Sequence, residues 1–472
     1  MRIPSSTSRL LCLLLSATTI SPTHASSPPS PFTCPSTPPI TSHCPAYNPP
    51  PPPPPPPSTP PPPPPPPPPA SPWSRAPICR RVGHSEFCAF THSTFASGAG
   101  ISLITTPARI LLLGSQPPLN LTVPDDVTPP PPPPPAYTAA PIPGKGLGLV
   151  ATSLIRAGTR VMRATPAIMV DDVAFRGLRR GDLKVLLGQG VMGLPASGGR
   201  EGFLGLSAAA GGEDGEDGVL DRVWRIFSTN AFRTTVKGVM PARKDGEEAG
   251  ETTVLPEGWE KQVEFHSTFV EVSRLNHACS PNLGYYFDSA TLSHRVYAVR
   301  DIFPGEELTI SYVDVTQPSP KRQSLLSQTW SFTCTCPRCT AEPHVLAESD
   351  ARCEHLNRLR RELDDYSASA TPEKAELLVT LYELEGLEVR MYEAYYRAAL
   401  EWNGVGDSGR AVRYARLCLD RGLLLRGPDR PFVESMRALV LDPTRHWSWR
   451  FRVQKKETEE GTGGQGDGKT QG

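Results

Sequence analysis

The sequence predicts an α+β fold: a β-rich core of small sheets, a cysteine-held metal segment, and an α-helical C-terminal module. Three observations predict it. Short strand-like runs separated by glycine turns fill residues 144–170 and 295–313. FTCTCPRC then gathers Cys334, Cys336 and Cys339 into one short segment. Beyond it, apolar residues recur at helical spacing to about residue 450.

The N-terminal quarter of the 472 residues holds little foldable mass. Pro49–Pro57, Pro60–Pro69 and Pro129–Pro135 are unbroken runs. Proline fixes φ and donates no hydrogen bond, so such runs extend as polyproline II helix and build no core. Arg2 and Arg9, the apolar Leu10–Ala17 and the small-residue end at Ala25 predict a secretory signal peptide over 1–25. A Pro-rich disordered stalk (26–76), a small cysteine-containing appendage (77–123) and a Pro-rich linker (124–136) are expected next. In an oxidising compartment Cys34, Cys44, Cys79 and Cys88 would form two disulfides of open connectivity, and Asn120-Leu121-Thr122 is a glycosylation sequon. No later run reaches the ~20 apolar residues of a membrane span. The 48 basic and 48 acidic residues balance. Composition therefore gives no case for nucleic-acid binding, and a monomer is expected.

From residue 137 the composition turns globular. GKGLGLVATSLIRAGTRVMRATPAIMV (Gly144–Val170) predicts two strands joined at Ala157-Gly158, and RVYAVRDIFPGEELTISYV (Arg295–Val313) repeats the pattern around Pro304-Gly305. Gly193–Gly218 and Lys244–Thr253, glycine-rich and acidic, are expected to be flexible inserted loops. A helix starts near Val219, with Val223, Ile226, Phe227 and Asn230 on one face. Asn230 thus lies on an apolar stripe, where its amide needs either a core hydrogen bond or a ligand. Tyr285 and Tyr286 point to opposite faces of a strand, so one of them can look toward a channel, though core packing is expected for both; His294, Cys353 and Cys418 are read as structural.

Towards the C-terminus, Thr371 and Pro372 are a favourable N-cap and first helical position. Leu377, Leu381, Leu384, Leu387, Met391 and Tyr395 predict one long helix. After a turn at Gly404–Gly409 comes a second stripe through Ala411, Tyr414, Ala415 and Cys418, resembling one tetratricopeptide-type hairpin. Residues 454–472 are expected to be disordered.

Thiols spaced C-x-C-x-x-C suit zinc, which takes four soft ligands in a tetrahedron. The fourth ligand must come from elsewhere, with Cys279, His344 and Cys353 as candidates. Cys279 is preferred, because it would tie RLNHACSPN (Arg274–Asn282) to the cysteine segment. All four positions would then be filled, making the metal structural.

Together these segments resemble the SET-domain lysine methyltransferases, in the branch that includes the SET-and-MYND proteins. GKGLG (Gly144–Gly148) is similar to the opening glycine motif, and RLNHACSPN to the Asn-His-x-Cys-x-Pro-Asn motif. GEELTISYVD (Gly305–Asp314) is similar to the segment ending in the catalytic tyrosine, and WSFTCTCPRC (Trp330–Cys339) to the post-SET zinc segment. The layout, with a cysteine-bearing N-terminal extension, resembles SET-domain-containing proteins of filamentous fungi. Two departures stand out. No MYND zinc module is present, and Ala278 stands where serine is often found.

The resemblance implies a pseudoknot-like SET domain with inserted loops (137–315), a post-SET zinc segment (316–341) and a helical module (342–453). It implies S-adenosyl-L-methionine bound by Lys145, Gly146, Leu147, Asn230, Ser273, Leu275, Asn276, His277 and Phe332, with the His277 contribution through its main chain. Tyr312 would be the catalytic tyrosine, orienting amine and methyl, and Trp330 would help wall the lysine channel. Structural Zn2+ would sit on Cys279, Cys334, Cys336 and Cys339. The activity implied is protein-lysine N-methylation of a histone or non-histone protein with an exposed lysine. Two other readings are an inactive SET-fold binding protein of the secretory pathway and a proline spacer carrying the core as cargo. The signal peptide points to a secreted or endomembrane location. Thiolate zinc and the cofactor fit the nucleus or cytoplasm better.

Overall fold

The computed structural model describes residues 73–114, 135–208, 218–237, 262–367 and 369–453. The expected signal peptide, nearly all of the stalk and linker, the C-terminal tail, Cys34, Cys44 and Asn120 lie outside these residues. Among the described residues, no helix is long and apolar enough to cross a membrane.

Among the described residues, thirteen strands form three sheets. In chain order they are β1 (Ile78–Val82), β2 (Ser85–His92), β3 (Ile101–Thr105), β4 (Tyr137–Ile142), β5 (Gly146–Ala151), β6 (Arg160–Ala164) and β7 (Ile168–Asp171). There follow β8 (Ala231–Lys237), β9 (Gln262–Thr268), β10 (Asn276–His277), β11 (Leu283–Asp288), β12 (Ser293–Ala298) and β13 (Glu307–Ile310). The large sheet has the order β1-β2-β3-β7-β9-β8; the smaller ones are β10-β13-β5-β4 and β11-β12-β6.

One expectation is corrected by the large sheet. Residues 77–105 are not a separate appendage: β3 pairs in parallel with β7, so β1–β3 make half of the large sheet. Their buried Phe87, Ile101, Leu103 and Ile104 need that neighbour to leave water. The strands expected in 144–170 and 295–313 are present, and within each stretch they go to different sheets. β5 joins β4 and β13, while β6 joins β12, because each hairpin-like run splits between sheets.

The helices, again in chain order, are α1 (Phe95–Gly98, one turn), α2 (Pro107–Gly114), α3 (Asp172–Gly177), α4 (Arg180–Gly193), α5 (Glu201–Leu204), α6 (Val219–Asn230), α7 (Ser319–Trp330) and α8 (Pro343–Asp364). The last four are α9 (Pro372–Leu384), α10 (Met391–Gly404), α11 (Ser408–Arg426) and α12 (Pro431–Leu441). The face of α6 buries Val223, Ile226, Phe227 and Asn230. Each apolar side chain there contributes about 1.5–3 kcal/mol relative to exposure. It packs with Leu183, Leu187 and Val191 of α4 against the large sheet. Part of the expected loop Gly193–Gly218 belongs to the same core, since Phe203 is wholly buried.

In the C-terminal module the Thr371 hydroxyl caps α9, accepting from the Lys374 amide at 3.3 Å. The expected long helix breaks in two after Leu384, which is 65% exposed. The break is at Gly386, whose φ of 62° is left-handed and lets the Leu387 amide close back on the Tyr382 carbonyl at 2.9 Å. Beside it, the buried Glu385 carboxylate accepts from Arg338 at 3.0 Å, Arg352 at 2.6 Å and Ser349 at 2.5 Å, tying this turn to the cysteine segment.

Candidate functional site

RLNHACSPN connects three parts of the molecule. Its Asn276 and His277 form β10, paired in parallel with β13 opposite Thr309 and Ile310. Asn282 fixes the register. Its Oδ1 accepts the Thr309 amide at 2.8 Å, and its Nδ2 donates to the Glu307 carbonyl at 2.8 Å. Between them, Cys279 turns into the cysteine cluster.

Glu307, on β13, holds two cavity residues at once. One carboxylate oxygen accepts from Asn276 Nδ2 at 2.9 Å, and the other pairs with Lys145 Nζ at 2.6 Å. The opening glycines permit this approach. Gly146 takes φ 76° at the head of β5. A Cβ on Gly148 would sit 2.7 Å from Asn276 Nδ2, so only glycine fits there.

Lys145 and Asn276 border a cavity of about 490 Å3, within the range of small-ligand sites. Lys145, Leu147, Asn230, Ser273, Leu275, Asn276, His277, Tyr312, Trp330 and Phe332 all line it. Gly146 does not; it opens β5, paired with Ile142 of β4. Sequence reasoning missed Gly205–Ser207 and Arg274 in the lining, and it assigned no role to Glu307 or Asn282. Gly205–Ser207 carries no periodic signal and lies in a glycine-rich stretch; Glu307 stood inside a quoted motif.

Asn230 makes the core hydrogen bonds expected of it and also lines the cavity. Its Nδ2 donates to the Ser207 carbonyl at 2.7 Å and the Ile226 carbonyl at 2.8 Å, so its oxygen is what it can offer a ligand. The buried hydroxyl of Ser273 has no hydrogen-bond partner among the described residues. An orphaned hydroxyl on a cavity wall marks a place for a polar ligand group.

Tyr312 stands where the walls converge. Its hydroxyl donates to the Leu275 carbonyl at 2.7 Å, and its ring lies 5.2 Å from that of Trp330. Trp330 is itself pinned by its Nε1 donating to the Thr229 carbonyl at 3.0 Å. Burial, with the Glu307 charge second, pushes the Tyr312 phenol above its ordinary value, so it stays protonated at neutral pH. Tyr285 does not only pack in the core. It lines the cavity and, with Ser311, also a second cleft of about 180 Å3 bordered by Asp314, Arg390, Tyr392 and Arg426. Burial pushes the Tyr285 phenol up to about 12, opposed by Arg426.

The His277 side chain, which sequence reasoning left without a task, sits beneath Tyr312. Its Nδ1 accepts the Tyr312 amide at 3.0 Å, so the ring proton is on Nε2, 3.3 Å from Cys279 Sγ. Burial pushes this imidazole down to about 4, keeping it neutral.

The sulfurs of Cys279, Cys334, Cys336 and Cys339 lie within 4.8 Å of one another, and none is in a disulfide. A tetrahedral site with bonds of about 2.3 Å has sulfur–sulfur edges of about 3.8 Å, so the four fit one zinc-sized ion. Cys353 lies outside the cluster, accepting from Arg338 Nη2 at 2.9 Å. Cys79 and Cys88, opposite each other on β1 and β2, form a disulfide.

Residues 146–313 match the SET domain family. The chain carries a SET domain. Over 222 residues it is 27% identical to the histone-lysine N-methyltransferase set5 of Schizosaccharomyces pombe, covering 47% of this chain and 56% of that one. Over 88 residues it is 40% identical to the protein-lysine N-trimethyltransferase SMYD5 of Mus musculus, covering 17% and 21%. Over 87 residues it is 40% identical to SET domain and MYND-type zinc finger protein 6 of Schizosaccharomyces pombe, covering 18% and 17%. The SET-domain match thus spans 17% to 56% of these relatives' own lengths.

Proposed function

We propose that this chain is an S-adenosylmethionine-dependent protein-lysine N-methyltransferase. The observation that carries the reading is the position of Tyr312 on the cavity wall, next to Ser311 and with Tyr285, the two residues that line both the cavity and the second cleft. When bound, the cofactor supplies an electrophilic methyl group on a sulfonium sulfur. Asn230, Ser273 and the backbone of Lys145, Leu147 and Asn276 line its cavity, and Phe332 offers a face for the adenine. Arg274, with no ion-pair partner among the described residues, supplies charge for a carboxylate.

A substrate lysine enters from the cleft beside Arg390 and Arg426 and passes Tyr285. Methyl transfer in line requires alignment above all, and misplacement by about 1 Å costs about 100-fold. Tyr312, held by the Leu275 carbonyl, orients the amine and cannot take its proton, because its own phenol stays protonated. The amine, ordinarily near 10.4, loses its charge more easily in a dry aromatic channel. Zinc on Cys279, Cys334, Cys336 and Cys339 would hold Phe332 against the cavity. The C-terminal helices would serve as a tetratricopeptide-like module that borders the cleft.

The Cys79–Cys88 disulfide supports the secretory location over the nucleus or cytoplasm. The test is transfer of labelled methyl groups from S-adenosylmethionine to a mixed protein substrate by the full-length chain. Labelled methyl-lysine is the expected product. Cofactor binding by calorimetry without any transfer would favour the binding-protein reading.

A further inference from the structure

Arg322 is wholly buried near the start of α7, and its guanidinium keeps its charge at any physiological pH. A buried charge without an opposite partner is strongly destabilising. The other deeply buried arginines have carboxylates: Arg452 pairs with Glu401 at 2.5 Å and Arg338 with Glu385 at 2.8 Å. Among the described residues, Arg322 has no carboxylate within 4 Å. Its Nη1 donates to the neutral Gln317 carbonyl, its Nε has no partner, and its Nη2 lies 3.9 Å from Cys339 Sγ.

The cysteine cluster presents the opposite difficulty. Metal-bound sulfurs are thiolates, so four of them around one divalent zinc leave two net negative charges in a buried site. Cys279, Cys334 and Cys336 are all buried. We propose that Arg322 is the fixed counter-charge of this metal–thiolate centre, a positioning residue whose burial is possible because the metal site is negative. This rests on the zinc reading of the four cysteines.

The neighbouring side chain supports the placement. Gln323 clamps the backbone of Cys334 from both sides, donating to its carbonyl at 2.9 Å and accepting its amide at 2.8 Å. Leu326, one turn on from Arg322, is buried among the cysteines. The first turns of α7 therefore form a preassembled outer shell, and the same helix ends at Trp330 in the cavity wall.

The test uses full-length protein purified with zinc, measuring metal content and the rate of zinc transfer to a colorimetric chelator. Outer-shell partners are typically worth about 10–100-fold in metal affinity. Arg322→Met is expected to release zinc faster by about that factor, and Arg322→Lys to recover much of the loss. Release from Arg322→Met at the wild-type rate would overturn the inference while leaving the zinc reading intact. Equal rates for the lysine and methionine variants would overturn it too, since charge would then be irrelevant. Wild-type protein without metal would overturn the zinc reading itself. Should Arg322→Met fail to fold, Arg322→Gln against Arg322→Lys gives the same comparison.

Discussion

The Tyr312 amide donates to His277 Nδ1 at 3.0 Å, while the far nitrogen of the same ring lies 3.3 Å from Cys279 Sγ. One imidazole thus spans from the proposed metal ligand to the proposed catalytic tyrosine. His277→Ala leaves the Tyr312 amide without its acceptor, which costs about 1–3 kcal/mol when buried. Thermal denaturation should show a loss of that size together with faster zinc release. A drop in stability with unchanged metal retention would mean that the contact to Cys279 carries nothing.

Tyr312→Phe keeps the ring and removes the hydroxyl bound to the Leu275 carbonyl. Methyl transfer should fall by about 100-fold or more, as misalignment does. Calorimetric affinity for S-adenosylmethionine should stay within about threefold. Parallel losses of both would contradict an orienting role.

Cys279→Ala should abolish zinc binding, since its sulfur is one of the four that converge. Cys353→Ala should retain one zinc per chain, because that sulfur meets Arg338 instead. Elemental analysis of the purified variants decides this, and the reverse pattern would move the fourth ligand.

Ser273→Ala removes a buried hydroxyl that has no partner among the described residues. Without ligand, the variant should be as stable as wild type or slightly more so, since nothing paired is lost. Its affinity for S-adenosylmethionine should fall by about five-fold, the equivalent of one hydrogen bond. Unchanged affinity would show that the hydroxyl is not used.

Burial pushes His294, stacked 3.8 Å from Phe269, down to about 3 from its ordinary 6.5. The folded chain keeps it neutral, whereas the unfolded chain protonates it below about 6.5. Its contribution to stability is complete above that value and is lost as the pH falls towards 3. The slope approaches about 1.4 kcal/mol per pH unit. Urea denaturation between pH 7 and pH 4.5 should show this decline, reduced in His294→Phe. Identical slopes for both proteins would place the acid sensitivity elsewhere.

The chemistry of the site was more legible in the sequence than its scaffold. Cysteine spacing and the Asn-His segment are local patterns, and ligand geometry constrains them tightly. Cys279 was preferred over His344 and Cys353 as a fourth ligand, and its sulfur lies within 4.8 Å of the other three. Strand partners are set by contacts between distant segments, so the turn between β5 and β6 gave no sign that the two belong to different sheets. β1–β3 read as an appendage for the same reason: nothing near Ile101 announces that its neighbour is Ile168 and the strand around it. Glu307 was quoted inside a motif yet given no role, because its partners Lys145 and Asn276 lie far away in the chain.

A boundary near residue 341 looks natural in the amino-acid string, where cysteines give way to helices. Physically it cuts through Glu385, whose carboxylate closes on Arg338 and Arg352, and whose carbonyl accepts from Ser280. A fragment ending there would lose Glu385 and Cys353, the partners that close over Arg338 at the edge of the thiol cluster, and would leave that guanidinium open to water. The helices are therefore part of what makes the preceding half foldable, and excising that half for separate study would yield a protein with its keystone missing.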